Sequence, residues 1–236
     1  MNASSGAPRR ALFDPETIPH DPAFADPEIR GTAVAPERLR PTALRQRFAM
    51  PPAWQPEVRA DPRLWMPDLE PRPAAVLVPL VAHGASVQVL LTQRTDHLHD
   101  HAGQISFPGG RVEEHDADAM ATALREAQEE VGLPAERVEI IGSLPRYTTA
   151  TGYDVTPVVG LIESPFELAL DAFEVSEVFE VPLEFLMDPT HHERRIVTLG
   201  DMTRTFYAMP YEARRRYFIW GATAAMLRNL YQFLRA

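Results

Sequence analysis

The chain has 236 residues, 45% hydrophobic and 24% charged, which fits one globular domain with an extension or at most two small domains. Its formal net charge of −10 argues against a nucleic-acid partner, which needs a basic surface. There is no cysteine, which excludes disulfides and thiolate metal sites and favours a reducing, cytoplasmic compartment. The longest apolar run, residues 74–82, is far shorter than the roughly 20 residues that cross a bilayer, so we expect no membrane association.

The first 73 residues form a proline-rich extension. They contain 14 of the 23 prolines, and proline fixes φ and removes a backbone donor. This composition predicts a mostly irregular segment with a short helix near 36–48. We expect the extension either to wrap the domain or to pair with a second subunit in a homodimer.

Residues 74–236 show the pattern of a compact domain. Two β-rich runs, 74–81 and 86–93, are joined by a hairpin signal, and 104–110 is a short strand that ends in a glycine turn. A helix is predicted over 117–131, with Asp116 as its cap and Gly132 and Pro134 at its end. Further strands are predicted at 137–144, 154–162 and 177–183, then a hairpin at 194–210 and a closing helix at 219–234. This order predicts an α/β/α sandwich with a mixed sheet.

The predicted helix carries a dense acidic stretch, "REAQEE" (125–130). At helical periodicity Glu126, Glu129 and Glu130 lie at i, i+3 and i+4, away from the apolar face, and Arg125 can hold Glu129. Most such clusters are solvated surface. Here a double glycine lies upstream, where a backbone carbonyl can approach an ion closely, and hard cations such as Mg²⁺ prefer oxygen ligands.

The stretch resembles the Nudix box, the signature of hydrolases that cleave a nucleoside diphosphate linked to another group. "REAQEEVGL" (125–133) matches the second half of that pattern at every fixed position. The first half departs from it, because one extra residue separates Gly110 from Arg125. The slot of the first glutamate holds Ala117, with Asp116 and Asp118 on either side. That glutamate usually supports the loop and the helix, so the departure concerns the geometry of the loop.

A second motif, residues 90–110, resembles the extended signature of the coenzyme A diphosphatase branch of the same family. Ten positions match: Leu90, Leu91, Thr92, Arg94, Gly103, Ile105, Phe107, Pro108, Gly109 and Gly110. Thr95 fills a slot for a small residue. His99 stands where the branch has an arginine, which is the one evident departure.

The resemblance implies roles for individual residues. Glu126, Glu129, Glu130 and the Gly109 carbonyl would bind Mg²⁺ or Mn²⁺, and Arg125 would orient a metal-binding glutamate. Glu126 and Glu129 would take part in catalysis, together with an acid from a later loop, for which Glu174 and Glu177 are the candidates. The substrate contacts would come from Arg94, His99, Gly110 and Tyr153, the last within a loop (147–157) that suits close contact.

Two other clusters have open interpretations. His97, His99 and His101 alternate, which is compatible with a zinc site but more typical of a polar loop. Arg214, Arg215 and Arg216 fit either a 3′-phosphate contact or a solvated basic patch.

The resemblance implies metal-dependent hydrolysis of the diphosphate of coenzyme A or acyl-coenzyme A. The products would be 4′-phosphopantetheine, or its acyl form, and adenosine 3′,5′-bisphosphate. One alternative is a Nudix enzyme acting on ADP-ribose, NADH or dinucleotides. Another is a Nudix module that senses a nucleotide without cleaving it, although a pure sensor would not need the full set of glutamates. In each case the partner is a small nucleoside diphosphate.

Overall fold

The computed structural model describes residues 14–61, 70–95, 103–199 and 202–236. The helices in these ranges are α1 (Pro27–Arg30), α2 (Pro41–Ala49), α3 (Ala119–Val131), α4 (Leu183–Leu186) and α5 (Gly221–Arg235). The strands are β1 (Arg72–His83), β2 (Ser86–Arg94), β3 (Ile105–Ser106), β4 (Gly109–Arg111), β5 (Val138–Ser143), β6 (Tyr147–Thr148), β7 (Tyr153–Glu163), β8 (Val175–Pro182), β9 (Glu193–Leu199), β10 (Met202–Glu212) and β11 (Arg216–Trp220). No helix in the described ranges is long and apolar enough to cross a membrane.

Strands β1 to β8 form one mixed sheet. Its path runs β3–β2–β1–β7–β5, while β4 also pairs with β1, β6 with β7 and β8 with β2. β1 and β7 are parallel, and the other pairs are antiparallel. Pro79 has no backbone N–H to donate to a neighbouring strand. It is tolerated within β1 because it lies between two pairings on the same side: β4 pairs as far as Val76, and β2 starts pairing at Leu80. The predicted α/β class with a mixed sheet is confirmed.

Side chains on the two faces of β1 enter two different cores. Ala75, Leu77 and Val81 pack with the apolar stripe of α3 on one face. Val78 and Leu80 pack on the other face, in a core shared with α5 and the strands β10 and β11. This alternation follows from the period of two in a strand. The sheet is therefore covered on both faces, and α3 packs on the face that concerns the site, together with Phe166 and Leu168.

The ends of α3 differ in part from the prediction. Asp118, and not Asp116, is the N-cap: its carboxylate accepts a hydrogen bond from the backbone N–H of Ala121 at 2.9 Å. The predicted cap at Asp116 is wrong because that carboxylate is engaged elsewhere. The predicted end is confirmed, since Gly132 adopts the left-handed conformation with φ of 67°, which glycine accepts without steric cost.

The later elements follow the predicted order. The three predicted strands appear as β5, β7 and β8, the late hairpin as β9 and β10, and the closing helix as α5. β11 was not predicted, and it completes a separate three-stranded sheet with β10 and β9. Tyr217 and Ile219 of β11 are buried in the alternation of a strand, and the strand was missed because the predicted closing helix, 219–234, already included its last two residues.

The described part of the extension wraps the domain. Phe24, Leu39 and Leu44 are buried in the same core as α5. Glu57 accepts a hydrogen bond from Nε of Arg228 at 2.8 Å, and the Arg228 side chain is fully buried. The predicted short helix near 36–48 appears as a 3-10 turn followed by α2. The domain boundary near residue 74 and a homodimer stay predictions.

Candidate active site

The turn between β3 and β4 brings the double glycine against both β1 and α3. A Cβ added to Gly109 would lie 2.5 Å from the carbonyl oxygen of Ala75 and 2.6 Å from Cα of Val76. A Cβ added to Gly110 would collide with the carboxylate of Glu126. Only glycine therefore permits this approach of backbone to carboxylate. The two glycines lie where the sequence motifs predicted them, at the side of the acidic helix.

Arg125 organises the acidic face of α3, and all five of its N–H donors are used. Nε and Nη2 each donate to Asp116 at 3.0 Å, which makes a bidentate pair. Nη1 donates to Glu126 at 3.0 Å and to Glu129 at 2.8 Å. Nη2 also donates to the backbone carbonyl of Arg111 at 3.0 Å. One guanidinium thus joins the glycine turn, the loop before α3 and two of the three glutamates.

Asp116 and Asp118 flank the slot of the first glutamate in the Nudix pattern, and Asp116 is the one that contacts Arg125. Its side chain is 2% exposed. Besides Arg125 it accepts hydrogen bonds from the Thr122 hydroxyl and from the Glu113 backbone N–H, both at 2.9 Å. The hydrogen bonds from Arg125, and then that from Glu113, hold the pKa of this carboxyl far below its usual range. Asp116 therefore ties the loop to the helix.

Glu130 is the buried member of the glutamate set, with a side chain 5% exposed. Oε2 accepts from the backbone N–H of Gly109 at 3.4 Å, and Oε1 lies 3.6 Å from Nη1 of Arg94. Burial raises its pKa to about 8, and the charges of Glu126 and Glu174 add to the rise against the opposing effect of Arg94. The charge of Arg94 therefore offsets only part of the cost of burying this carboxylate.

Arg94 lies between two acids without bonding closely to either. Nη2 is 3.8 Å from Oε2 of Glu174, and the contact to Glu130 is also beyond hydrogen-bonding distance. The side chain of Arg94 is 26% exposed. Among the described residues these two long contacts are its ion pairs, so the guanidinium can turn toward an anion that enters the site.

The two predicted candidates for the later acid lie on opposite faces of the sheet. Glu174 lies on the α3 side, fixed by the backbone N–H of Thr95, which donates to its carbonyl at 3.0 Å. Glu177 lies on the other side, where it accepts from the hydroxyl of Tyr217 at 2.7 Å and pairs with Arg215. Only Glu174 is brought to the acidic cluster.

The donor set fits a hard divalent cation in its chemistry. The groups beside the double glycine are carboxylate oxygens, and burial raises the pKa of Glu126 as well, opposed by Arg125 and assisted by Glu129 and Glu174. Oxygen donors with excess negative charge are what Mg²⁺-type ions prefer. Within the described ranges, however, no three His, Asp or Glu side chains converge on one point that would hold an ion. Glu129, 59% exposed, lies at the rim on Arg125.

The remaining predicted contacts are Tyr153 and His99. Tyr153 begins β7, and its hydroxyl accepts from Nε of Arg111 at 2.8 Å, which links it to the residue after Gly110. His99, with His97 and His101, lies outside the described residues. Arg111 was not predicted as a site residue, although its place directly after the double glycine was a signal. Asp61 was not predicted either; its carboxylate accepts hydrogen bonds from the Tyr147 hydroxyl and from the backbone N–H of Ala150, and so holds the loop before Tyr153.

A family model and a bacterial relative identify the family. Residues 70–218 match the NUDIX domain. The chain is 46% identical over 170 residues to the Nudix hydrolase NudL of Escherichia coli K12, covering 72% of this chain and 86% of that protein. Among solved structures, the Nudix hydrolase RenU of M. smegmatis is 24% identical with a TM-score of 0.42, covering 49% of this chain and 73% of that one. An Ap4A hydrolase of C. elegans is 22% identical with a TM-score of 0.41, covering 47% and 80%.

Proposed function

The chain belongs to the Nudix family, whose hydrolases act on nucleoside diphosphates linked to another group, and on that premise we propose that its substrate is coenzyme A or an acyl-coenzyme A. Hydrolysis of the diphosphate would yield 4′-phosphopantetheine, or its acyl form, and adenosine 3′,5′-bisphosphate. The observation that carries the proposal is the joining of two motifs at one place. The residues of the coenzyme A-type signature, Arg94 and Gly109–Gly110, lie against Glu130 and Glu126 of α3.

Nudix hydrolases generally use divalent cations, and we assign Mg²⁺ or Mn²⁺ to this chain. The residues that would hold the ions are Glu126, Glu129 and Glu130 with the carbonyl of Gly109. When bound, such ions offset phosphate charge and lower the pKa of a bound water. Within the protein, Arg125 keeps Glu126 and Glu129 in fixed positions through hydrogen bonds of 3.0 and 2.8 Å.

Arg94 and Glu174 complete the proposed chemistry on the same face of the sheet. Arg94 would leave its two long contacts and bind a phosphate oxygen of the substrate, for which the guanidinium fork is well suited. Glu174 is 43% exposed and would accept the proton of the attacking water. Breaking the diphosphate needs the oxygen of this water to bond to one phosphorus as the bridging oxygen leaves on the other.

A non-catalytic sensor is the less favoured function. Glu130 is buried beside Arg94 and Gly109 with its pKa raised to about 8, which is a costly arrangement for a protein that only binds a nucleotide. A Nudix diphosphatase of other specificity is the nearer alternative, because the cluster suits any diphosphate. The coenzyme A assignment therefore depends on the signature of residues 90–110.

A substrate panel tests the proposal. Purified protein is incubated with Mg²⁺ or Mn²⁺ and coenzyme A, acetyl-coenzyme A, ADP-ribose, NADH or a diadenosine polyphosphate, and kcat/KM is measured for each. The proposal expects the highest value for a coenzyme A compound. A higher value for ADP-ribose, NADH or the dinucleotide would assign the chain to another Nudix specificity, and no turnover of any compound would favour a sensor.

A further inference from the structure

Two arginines converge on one tyrosine beside the acidic cluster. Arg72 begins β1 opposite Tyr153 in the parallel register, and Arg111 ends β4 two positions further along β1, opposite Ala74. Cζ of Arg72 lies 4.5 Å from the centroid of the Tyr153 ring, and Cζ of Arg111 lies 5.5 Å from it. The two guanidinium carbons are therefore no more than about 10 Å apart.

These two cations have no acidic partner within the described ranges. Neither Arg72 nor Arg111 forms an ion pair there, although the chain carries ten more acidic than basic side chains. Both residues are exposed. Stacking on an aromatic ring orients a guanidinium and leaves its N–H groups available to an anion. Holding two such groups together costs free energy that a bound anion would offset.

The arginine pair adjoins the cluster to which we assign the metal ions. Arg111 directly follows Gly110, whose Cα faces the carboxylate of Glu126. Its backbone is fixed there by Arg125, which donates to its carbonyl at 3.0 Å. An anion held by Arg111 and Arg72 would therefore lie next to the diphosphate, on the side where Tyr153 begins β7.

We propose that Arg72 and Arg111, oriented by the Tyr153 ring, form a subsite for a phosphate monoester that the substrate carries outside its diphosphate. This inference rests on the proposed function, and for coenzyme A the group is the 3′-phosphate. Two guanidiniums with a phenol hydroxyl match a dianionic phosphate better than a single negative charge. The subsite distinguishes substrates that carry this phosphate from otherwise identical ones that lack it.

The basic run at 214–216 is a poorer site for the same group. Arg215 pairs with Glu177, and Arg216 pairs with Glu16 at 3.0 Å and Glu212 at 2.8 Å. Glu177 also lies on the face of the sheet opposite α3. A phosphate bound there would have to displace existing ion pairs and would lie away from the acidic cluster.

The test compares coenzyme A with 3′-dephospho-coenzyme A in wild type, Arg72→Gln and Arg111→Gln. The ratio of the two kcat/KM values is the readout, so a general loss of activity cancels. One charge-assisted contact at an exposed site supports about a tenfold preference, and each variant should lose about that factor. Arg137→Gln is the matched control: Arg137 is exposed and lies near Val138, which pairs with Ile162, about 30 Å along β7 from Tyr153.

A binding measurement separates this inference from the proposed function. Calorimetry compares adenosine 3′,5′-bisphosphate with AMP and needs no turnover. The expected result is tighter binding of the bisphosphate by wild type and Arg137→Gln, and reduced discrimination in Arg72→Gln and Arg111→Gln. Equal binding of both nucleotides by wild type, or unchanged discrimination in the two variants, would overturn the subsite. If coenzyme A is not hydrolysed but the preference for adenosine 3′,5′-bisphosphate over AMP is reduced in Arg72→Gln and Arg111→Gln, the proposed function fails and the subsite stands.

Discussion

Asp116→Asn perturbs the contact that ties the loop before α3 to the acidic helix. The substitution keeps the shape of the side chain and removes its charge. The side chain of Asp116 is 2% exposed and accepts two of the five hydrogen bonds that Arg125 donates. The amide of an asparagine at this position would have to point its N–H group at one of these donors. Asp118→Asn is the matched control two residues away, because asparagine caps a helix about as well as aspartate.

The expected loss of stability follows from the loss of one charge-assisted hydrogen bond and of one charge of a buried ion pair. We expect Asp116→Asn to lower the free energy of unfolding by about 2–3 kcal/mol. For a chain of this length that corresponds to a fall in Tm of about 5–10 °C. Because Arg125 also holds Glu126 and Glu129, we expect kcat to fall between about ten- and hundredfold.

The assay pairs thermal unfolding with the rate of coenzyme A hydrolysis for both variants. Asp118→Asn should retain the Tm and the kcat of wild type. The role assigned to Asp116 would be refuted if Asp118→Asn lost as much activity as Asp116→Asn. It would also be refuted if Asp116→Asn melted and turned over like wild type, since Arg125 would then not depend on Asp116.

Three further predictions concern single ionisable groups. Glu174→Gln should lower kcat by at least about a hundredfold, the usual contribution of a general base, while Glu177→Gln should leave kcat near wild type; the reverse result would reassign the base. Glu130→Gln should abolish most turnover yet raise Tm in metal-free buffer at pH 8, because burial raises the pKa of Glu130 to about 8 and its charge is unfavourable there; a lower Tm would contradict this. Burial, with the charge of Arg228, lowers the pKa of His192 to about 3, so its stabilising contribution is present above pH 6.5 and is lost as pH falls, by about 2 kcal/mol at pH 5. Denaturant titrations should show a flatter pH dependence for His192→Gln, and parallel curves would contradict the assignment.

Local patterns predicted the parts of the site that lie on one element. The spacing of Glu126, Glu129 and Glu130 and the pairing of Arg125 with Glu129 follow from the helix repeat, and the structure contains both. The cap at Asp118 is a local feature too, but two aspartates stood within reach. Only the packing of Asp116 onto Arg125 decided between them.

Contacts between distant segments could not be predicted in this way. Glu174 and Glu177 are three residues apart, and which of them reaches α3 depends on how β8 pairs with β2. A register shift between Gln93 and Arg94 sets that pairing. Arg72 meets Tyr153 only because β1 and β7 run parallel, a pairing between residues 81 positions apart along the chain. Such registers are set by the whole sheet and carry no signal in a short stretch.

The most direct test of the proposed function is the identity of the products formed from coenzyme A. Wild type and Glu129→Gln are incubated with coenzyme A and Mg²⁺, and the mixtures are analysed by mass spectrometry. We predict that wild type forms 4′-phosphopantetheine and adenosine 3′,5′-bisphosphate in equal amounts and that Glu129→Gln forms both far more slowly. Intact coenzyme A after prolonged incubation with wild type, or products from cleavage of any bond other than the diphosphate, would contradict the account.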